Sequence, residues 1–322
     1  MTMETDEPII ETDGLGREFR VREGLRRRTV VAVDDLTVRV SAGESVGYIG
    51  ANGAGKSTTI KMLVGILVPT RGSVRTCGLR PVTDRRALAR QVGVVFGQRS
   101  QLWWDLPVRE SFRILASIHG LGPVREAERT AELVERLEMA GYWSTPVRQL
   151  SLGQRMRAEV AAALLHSPRL VILDEPTIGL DVLSKQRLRE FLVAERRTHG
   201  TTLLLTTHDM GDVERLCERV LLVDRGRLAF EGTLAGLSRT VGAERVLVVD
   251  LAGPGPDLTD VPGTRHLGSE GGGFRQRLAF DAEATTAAKV LTAVSERAQV
   301  VDLAVEEPDV EDVVRRVYAA RR

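Results

Sequence analysis

GANGAGKST, residues 50–58, closes the apolar run SVGYIG at 45–50 and opens an apolar-periodic segment that continues through Leu67 and stops before Pro69. Strand, glycine-rich loop and helix in that order give the pattern G-x-x-x-x-G-K-[ST] its meaning as a phosphate loop. The bend from Gly50 through Ala51, Asn52, Gly53 and Ala54 to Gly55 lets backbone N–H groups turn toward a β-phosphate, and the following helix N-terminus adds partial positive charge. Lys56 is expected to reach the β- and γ-phosphates and the Ser57 hydroxyl to ligate Mg²⁺, with Thr58 completing the binding stretch. Lysine is scarce here: Lys56, Lys61, Lys185 and Lys289 are its four occurrences among forty-five basic residues. A compact ammonium fits inside a ring of N–H donors where a planar guanidinium is too wide. A nucleoside triphosphate with Mg²⁺ is the ligand this loop predicts.

A second motif agrees with the first. The apolar run Leu170 to Leu173 ends in Asp174-Glu175, so a buried strand delivers two carboxylates to its C-terminal end. A phosphate-loop sheet uses one to hold Mg²⁺ and one to polarise the attacking water. Asp174 is expected at the metal and Glu175 at the water.

Composition limits the rest. The longest apolar runs, such as LVIL at 170–173 and LLL at 203–205, fall well short of the ~18 residues that cross a bilayer, so no spanning helix is expected. The acidic start MTMETDEPIIETD has neither a basic beginning nor an apolar run, which is unlike a secretory signal and points to the cytosol. A net charge of +1 gives no general field for nucleic acid. Cys77 and Cys217 form no CxxC and are expected to be small buried hydrophobes.

Along the chain, VVAVDDLTVRV at 30–40 and SVGYIG read as strands about a turn, and residues 101–165 read as an inserted helical subdomain. RLVILDEPT, a helix near 184–197, TTLLLTTHD, a helix near 210–217 and the hairpin RVLLVDRGRLAFEG restore a strand–helix alternation, which implies a mostly parallel α/β sheet. The expected fold is therefore α/β of the P-loop NTPase type over 1–238, with the helical insert at about 101–165. A small C-terminal α+β domain over 239–322 is expected from RVLVVDL, FRQRLAF, a helix at about 283–297, VVDLAV and the closing DVEDVVRRVYAAR.

Between the two phosphate motifs stands Leu150-Ser151-Leu152-Gly153-Gln154. It resembles the LSGGQ signature of the ATP-binding cassette (ABC) ATPases. Gln98 in VVFGQ, Gly179-Leu180-Asp181 and His208 in LLTTHD follow in that family's order. The resemblance covers about residues 9–237. It implies that Phe19 stacks on adenine, that Gln98 is the lid glutamine near Mg²⁺, that Asp181 is the dimer-contact aspartate, and that His208 contacts the γ-phosphate. Ser151, Gly153 and Gln154 are implied to grip a γ-phosphate held by the other subunit, in a head-to-tail homodimer with two ATPs. Leu152 replaces the usual glycine and leaves its neighbours intact.

GLD at 179–181, the segment FGQRSQLWWDLPVRES at 96–111 and the tail EPDVEDVVRRVY at 307–318 resemble the exporter branch that includes drug- and antibiotic-efflux ATPases. The implied function is ATP hydrolysis by a peripheral subunit on the cytoplasmic face of the membrane, powering efflux through a separate permease. Trp103 and Trp104, adjacent and just after the glutamine loop, are candidate permease contacts, since tryptophan is enriched at interface hot spots. The basic arm Arg20–Thr29 reads as a solvated hairpin. The alternative reading is a non-transport cassette protein acting on nucleic acid or ribosomes, which the neutral charge disfavours. No residue names a cargo.

Overall fold

In a computed structural model the chain is described at residues 7–23, 26–97, 100–207, 209–240, 244–256, 258–282, 284–306, 313–314 and 317. It divides into two units, 1–233 and 234–322. The division comes just before the helix Leu234–Thr240, whereas the sequence suggested 238/239.

The first unit begins with strands β1 (Ile10–Glu23), β2 (Arg26–Val40) and β3 (Ser45–Gly50), then helix α1 (Lys56–Leu63), strand β4 (Arg71–Thr76), helix α2 (Arg85–Ala89) and strand β5 (Val92–Phe96). Helices α3 (Val108–His119), α4 (Pro123–Arg136) and α5 (Leu152–Leu164) follow. The unit closes with β6 (Leu170–Asp174), α6 (Val182–His199), β7 (Thr202–Thr206), α7 (Met210–Leu216), β8 (Arg219–Asp224) and β9 (Arg227–Gly232). Helix α1 is shorter than its apolar period suggested. Gly65, at φ 75°, takes the left-handed conformation that ends helices. Between 101 and 165 the α-helices are interrupted where Pro107 and Pro146 hold extended backbone.

Six strands form one sheet in the order β5-β6-β7-β3-β8-β9, parallel except for the β8–β9 hairpin. Strands β6 and β7 are covered on both faces, which is why they read as unbroken apolar runs. Alternate residues serve opposite layers. Val171, Leu173, Leu203 and Leu205 join the core under α3, α5 and α6, whereas Leu170, Ile172 and Leu204 join the core shared with β1, β2 and α1. A separate antiparallel sheet, β2-β1-β4, covers that second side. Sequence reading missed β1, because register shifts between Thr12 and Glu18 break its alternation. Its far end, with β2, makes the basic arm a hairpin whose Arg20, Arg22 and Arg28 are exposed.

This topology assembles the site. Strand β7 lies between β6 and β3, so the loops leaving the C-terminal ends of these three strands are neighbours, and open α/β sheets bind ligands at such strand ends. Register puts Asp174 opposite Thr206 on one side and Phe96 on the other.

The second unit starts with α8 (Leu234–Thr240) and contains β10 (Arg245–Leu251), β11 (Thr264–Glu270), β12 (Arg275–Phe280), α9 (Ala287–Ser295) and β13 (Val300–Glu306). Its antiparallel sheet has the order β11-β12-β10-β13. Leu247, Val249, Leu278 and Phe280 pack with Val290 and Val294 of α9 as an independent core. Strand β11 was not anticipated: its sequence TRHLGSE is largely polar and half-exposed. The closing helix lies outside the described residues apart from the buried Val313, Val314 and Val317.

Candidate functional site

The phosphate loop is shaped by backbone that only glycine provides. Gly53 and Gly55 hold φ 82° and 100°. A Cβ on Gly50 would lie 2.6 Å from the Val223 carbonyl oxygen, and one on Gly55 would lie 2.3 Å from that of Ala32. Ala54 N–H closes the bend onto the Ala51 carbonyl at 3.0 Å. Ser57 and Thr58 lie in the first turn of α1, where N–H groups have no intrahelical acceptor.

Lys56 is buried at the start of α1, and its Nζ donates to the carbonyls of Gly50 (2.6 Å) and Ala51 (3.2 Å). Burial lowers its pKa, opposed by the negative charges of Glu175 and Asp174. The electrostatic coupling ties the lysine to both carboxylates at the end of β6. Thr206 Oγ1 donates to Asp174 Oδ1. Glu175 N–H donates to the Thr206 carbonyl at 2.9 Å, and the residue itself sits at φ 56°, a conformation uncommon outside glycine. The oxygen-only donors Ser57 and Asp174 suit Mg²⁺, a hard cation.

The signature stretch caps a helix. Ser151 is the N-cap of α5: its Oγ accepts from Gln154 N–H at 3.2 Å, while Gln154 Oε1 accepts from Ser151 N–H at 2.9 Å. This reciprocal capping box leaves the Ser151 hydroxyl hydrogen available to an outside acceptor. Ser151 and Leu152 are exposed. Leu152 lies over the loop that follows Glu175; a Cβ on Gly179 would come 2.4 Å from its Cδ2. Asp181 caps α6 by accepting from Ser184 N–H (2.9 Å) and Ser184 Oγ (2.6 Å), bonds that lower its pKa.

Phe19 is half-buried on β1 with the Arg17 guanidinium 4.7 Å over its ring. Trp103 and Trp104 are 38% and 50% exposed. The Arg155 guanidinium, one residue beyond the signature, lies 5.6 Å from the Trp104 ring. Gln98 and His208 fall outside the described residues.

Several participants escaped sequence reading. Glu159, buried on α5, accepts from Ser100 Oγ and, at 3.1 Å, from Gln101 N–H, which fastens the segment after Gln98 to the signature helix. Asp212, fully buried on α7, accepts from Thr177 and Thr207 and pairs with Arg189. Lys185 Nζ donates to Asp209 Oδ2 at 2.6 Å. Together these bonds tie α6, α7 and the 174–181 loop into one frame. The scarcity of lysine was a usable signal for Lys185; buried partners of helix-face carboxylates have none in the sequence.

Residues 33–178 match the ABC transporter family. The Nod factor export ATP-binding protein I of Cupriavidus metallidurans is 42% identical over 207 residues, 63% of this chain and 66%, just under two thirds, of that protein. The ABC transporter ATP-binding protein NatA of Bacillus subtilis is 31% identical over 219 residues, 68% of this chain and 89% of that one. Among solved structures, an ATP binding subunit of an ABC transporter gives a TM-score of 0.63 at 29% identity, covering 73% of this chain and 94% of the other.

Proposed function

The chain belongs to the ABC transporter ATPase family, and on that premise we propose that it is the ATP-hydrolysing subunit of an exporter. It works as a head-to-tail homodimer beneath a separate membrane permease. The observation that carries this reading is the division of labour in the site. Lys56, Asp174 and Glu175 converge at the strand ends, while Ser151 sits exposed on a helix N-terminus with a hydroxyl hydrogen to give. A second copy supplies the acceptor for that hydrogen. Export is supported by the names of relatives such as the Nod factor export protein.

In the proposed mechanism Gly50 to Thr58 wrap the phosphates, Lys56 turns its ammonium donors from the Gly50 and Ala51 carbonyls to β- and γ-phosphate oxygens, and Phe19 stacks on adenine. Ser57 and Asp174 would hold Mg²⁺, with Gln98 proposed as a further ligand, and the cation would supply neutralisation of charge on the phosphate oxygens. Ser151, Gly153 and Gln154 of one copy grip the γ-phosphate bound to the other, and Asp181 lies at the contact between them. Glu175, helped by His208, takes a proton from the attacking water. The water oxygen bonds to the γ-phosphorus as the bond to the bridging oxygen breaks, giving ADP and phosphate. Closure follows from tighter ATP binding in the closed dimer than in the open one.

Among the described residues no helix is long and apolar enough to cross a membrane. On the family likeness, the proposed place is peripheral, at the cytoplasmic face, with cargo chosen by the permease. Trp103 and Trp104 are proposed as permease contacts, and the second unit as an accessory or regulatory domain. Co-purification tests the assignment: the wild-type chain is expected to bring down a polytopic membrane protein and to hydrolyse MgATP, and Lys56→Ala to lose nucleotide binding. Undiminished ATPase activity in Lys56→Ala would refute the loop assignment.

A further inference from the structure

The β8–β9 hairpin turns at Asp224-Arg225-Gly226-Arg227, a stretch that the ATPase motifs leave without a task. Its central residues Arg225 and Gly226 both have left-handed backbone, φ 47° and 81°, as a tight two-residue hairpin requires. The turn does more than join two strands. Gly226 N–H donates to the Ala54 carbonyl in the phosphate loop at 3.0 Å, and the Gly226 carbonyl accepts from Asp34 N–H on β2 at 2.8 Å. One residue, through the N–H of one peptide and the C=O of the next, thus bridges the phosphate loop and a strand of the other sheet.

The three backbones are in contact. A Cβ on Gly226 would lie 2.9 Å from the Ala32 carbonyl oxygen and 3.0 Å from Asp34 N, and the same Ala32 oxygen blocks a Cβ on Gly55. Ala54 and Val33, at the junction, are buried. The Asp34 carboxylate accepts from Arg71 on β4 and from Arg227 on the hairpin, the latter at 2.7 Å, so the outer rim is tied as well.

We propose that Gly226 is a positioning residue for the phosphate loop, through its main-chain bond to Ala54. A trans peptide is planar, with its C=O and N–H pointing in opposite directions. Anchoring the Ala54 carbonyl on the hairpin side therefore aims the Gly55 N–H the other way, into the concavity that receives the phosphates. Gly55 precedes Lys56 and the orphan N–H groups of α1, so the anchored peptide sets the entry angle of every donor after it. Glycine is needed at 226 because its positive φ and the nearby Ala32 oxygen both exclude a side chain.

This inference rests on nucleotide binding at residues 50–58, and its test separates the two. Gly226→Ala is compared with Gly72→Ala, another left-handed glycine (φ 73°) whose Cβ would strike backbone, at 2.2 Å from the Gly14 oxygen. The measurements are thermal stability and MgATP affinity by fluorescent nucleotide titration, with Lys56→Ala as the binding-dead reference. Gly226→Ala is expected to weaken MgATP binding at least tenfold, while Gly72→Ala loses similar stability and keeps wild-type affinity. Wild-type affinity in folded Gly226→Ala overturns the proposal and leaves the loop assignment standing; equal affinity losses in both glycine variants also overturn it. Retained binding in Lys56→Ala sinks the loop assignment itself. If Gly226→Ala does not fold, ¹⁵N-glycine labelling of the wild-type chain decides. The Gly226 amide is expected to shift and to exchange more slowly on adding MgATP, and an unchanged amide overturns the proposal.

Discussion

Thr206 donates its hydroxyl hydrogen to Oδ1 of Asp174, its register partner on the neighbouring strand. A carboxylate at the end of a strand is free to rotate about its last bond; this hydrogen bond fixes which oxygen faces the sheet and which faces out. Partners of this kind orient a metal ligand without touching the metal. Thr206→Val keeps the shape of a strand residue that is fully buried and removes the donor. Its affinity for Mg²⁺ in the presence of ATP is expected to fall about tenfold, read from the Mg²⁺ dependence of ATP hydrolysis. An unchanged Mg²⁺ profile would show that Asp174 is not oriented this way, or does not hold the metal.

Glu175, the proposed general base, also sits in a strained backbone conformation. Its φ of 56° is held by the bond from its own N–H to the Thr206 carbonyl, and strain of this kind costs on the order of 1 kcal/mol. Glu175→Gln retains the strain and loses the base. It is expected to bind MgATP normally, to turn over ~10²–10⁴-fold more slowly, and to accumulate as a dimer on size exclusion. Glu175→Gly is expected to be equally inactive yet more stable by about 1 kcal/mol in urea denaturation. Monomers of Glu175→Gln in saturating MgATP would count against the shared site.

How much of this was legible in the sequence depends on the kind of contact. GANGAGKST and LVILDE were readable because they combine a fixed spacing with a buried strand, and burial on both faces leaves an unbroken apolar run. The three-stranded sheet was less legible, since bulges in β1 erase its alternation. Sequence pattern also cannot show that Gly226 meets Ala54, 172 positions away: a backbone hydrogen bond leaves no side-chain signature. Glu159 and Asp212 stayed hidden for a related reason. A carboxylate on a helix looks solvated until the segment that buries it is known.

The stacked histidines set an acid limit. His119, the last residue of α3, and His166, in the turn just past α5, have ring centroids 3.9 Å apart and planes 4° from parallel. Burial, reinforced by His119, pulls the His166 pKa down from 6.5 to about 4. Between those two values the unfolded chain binds the proton and the folded chain does not, so stability rises with pH across the window; below about 4 both states are protonated. His166 alone is then expected to remove about 3 kcal/mol of stability as pH falls from 6.5 to 4. His166→Phe keeps a flat ring for stacking and cannot take the proton. Urea denaturation at a series of pH values is expected to show a shallower acid loss in that variant; parallel curves would assign the loss to other groups.

Leu152 is where this signature departs from LSGGQ, and the departure has a physical consequence. Its side chain, 41% exposed, covers Gly179, and the flanking Ile178, Val182 and Leu183 are more exposed still. Exposed large apolar side chains close together in sequence at 178–183, beside a loop that Leu152 touches, are the kind of surface that a partner covers. In the proposed head-to-tail dimer this surface is the one assigned to the second copy, where Leu152 would add apolar area beside Ser151 and Gly153 without displacing their donors. Leu152→Gly restores the usual signature and is expected to leave monomer ATP affinity unchanged while weakening the MgATP-trapped dimer of Glu175→Gln about tenfold in sedimentation experiments. Leu152→Met, of similar volume, is expected to recover most of that loss. Equal dimer affinity in the glycine and methionine variants would place Leu152 outside the contact and return it to a purely local task, holding the 178–181 loop against α5.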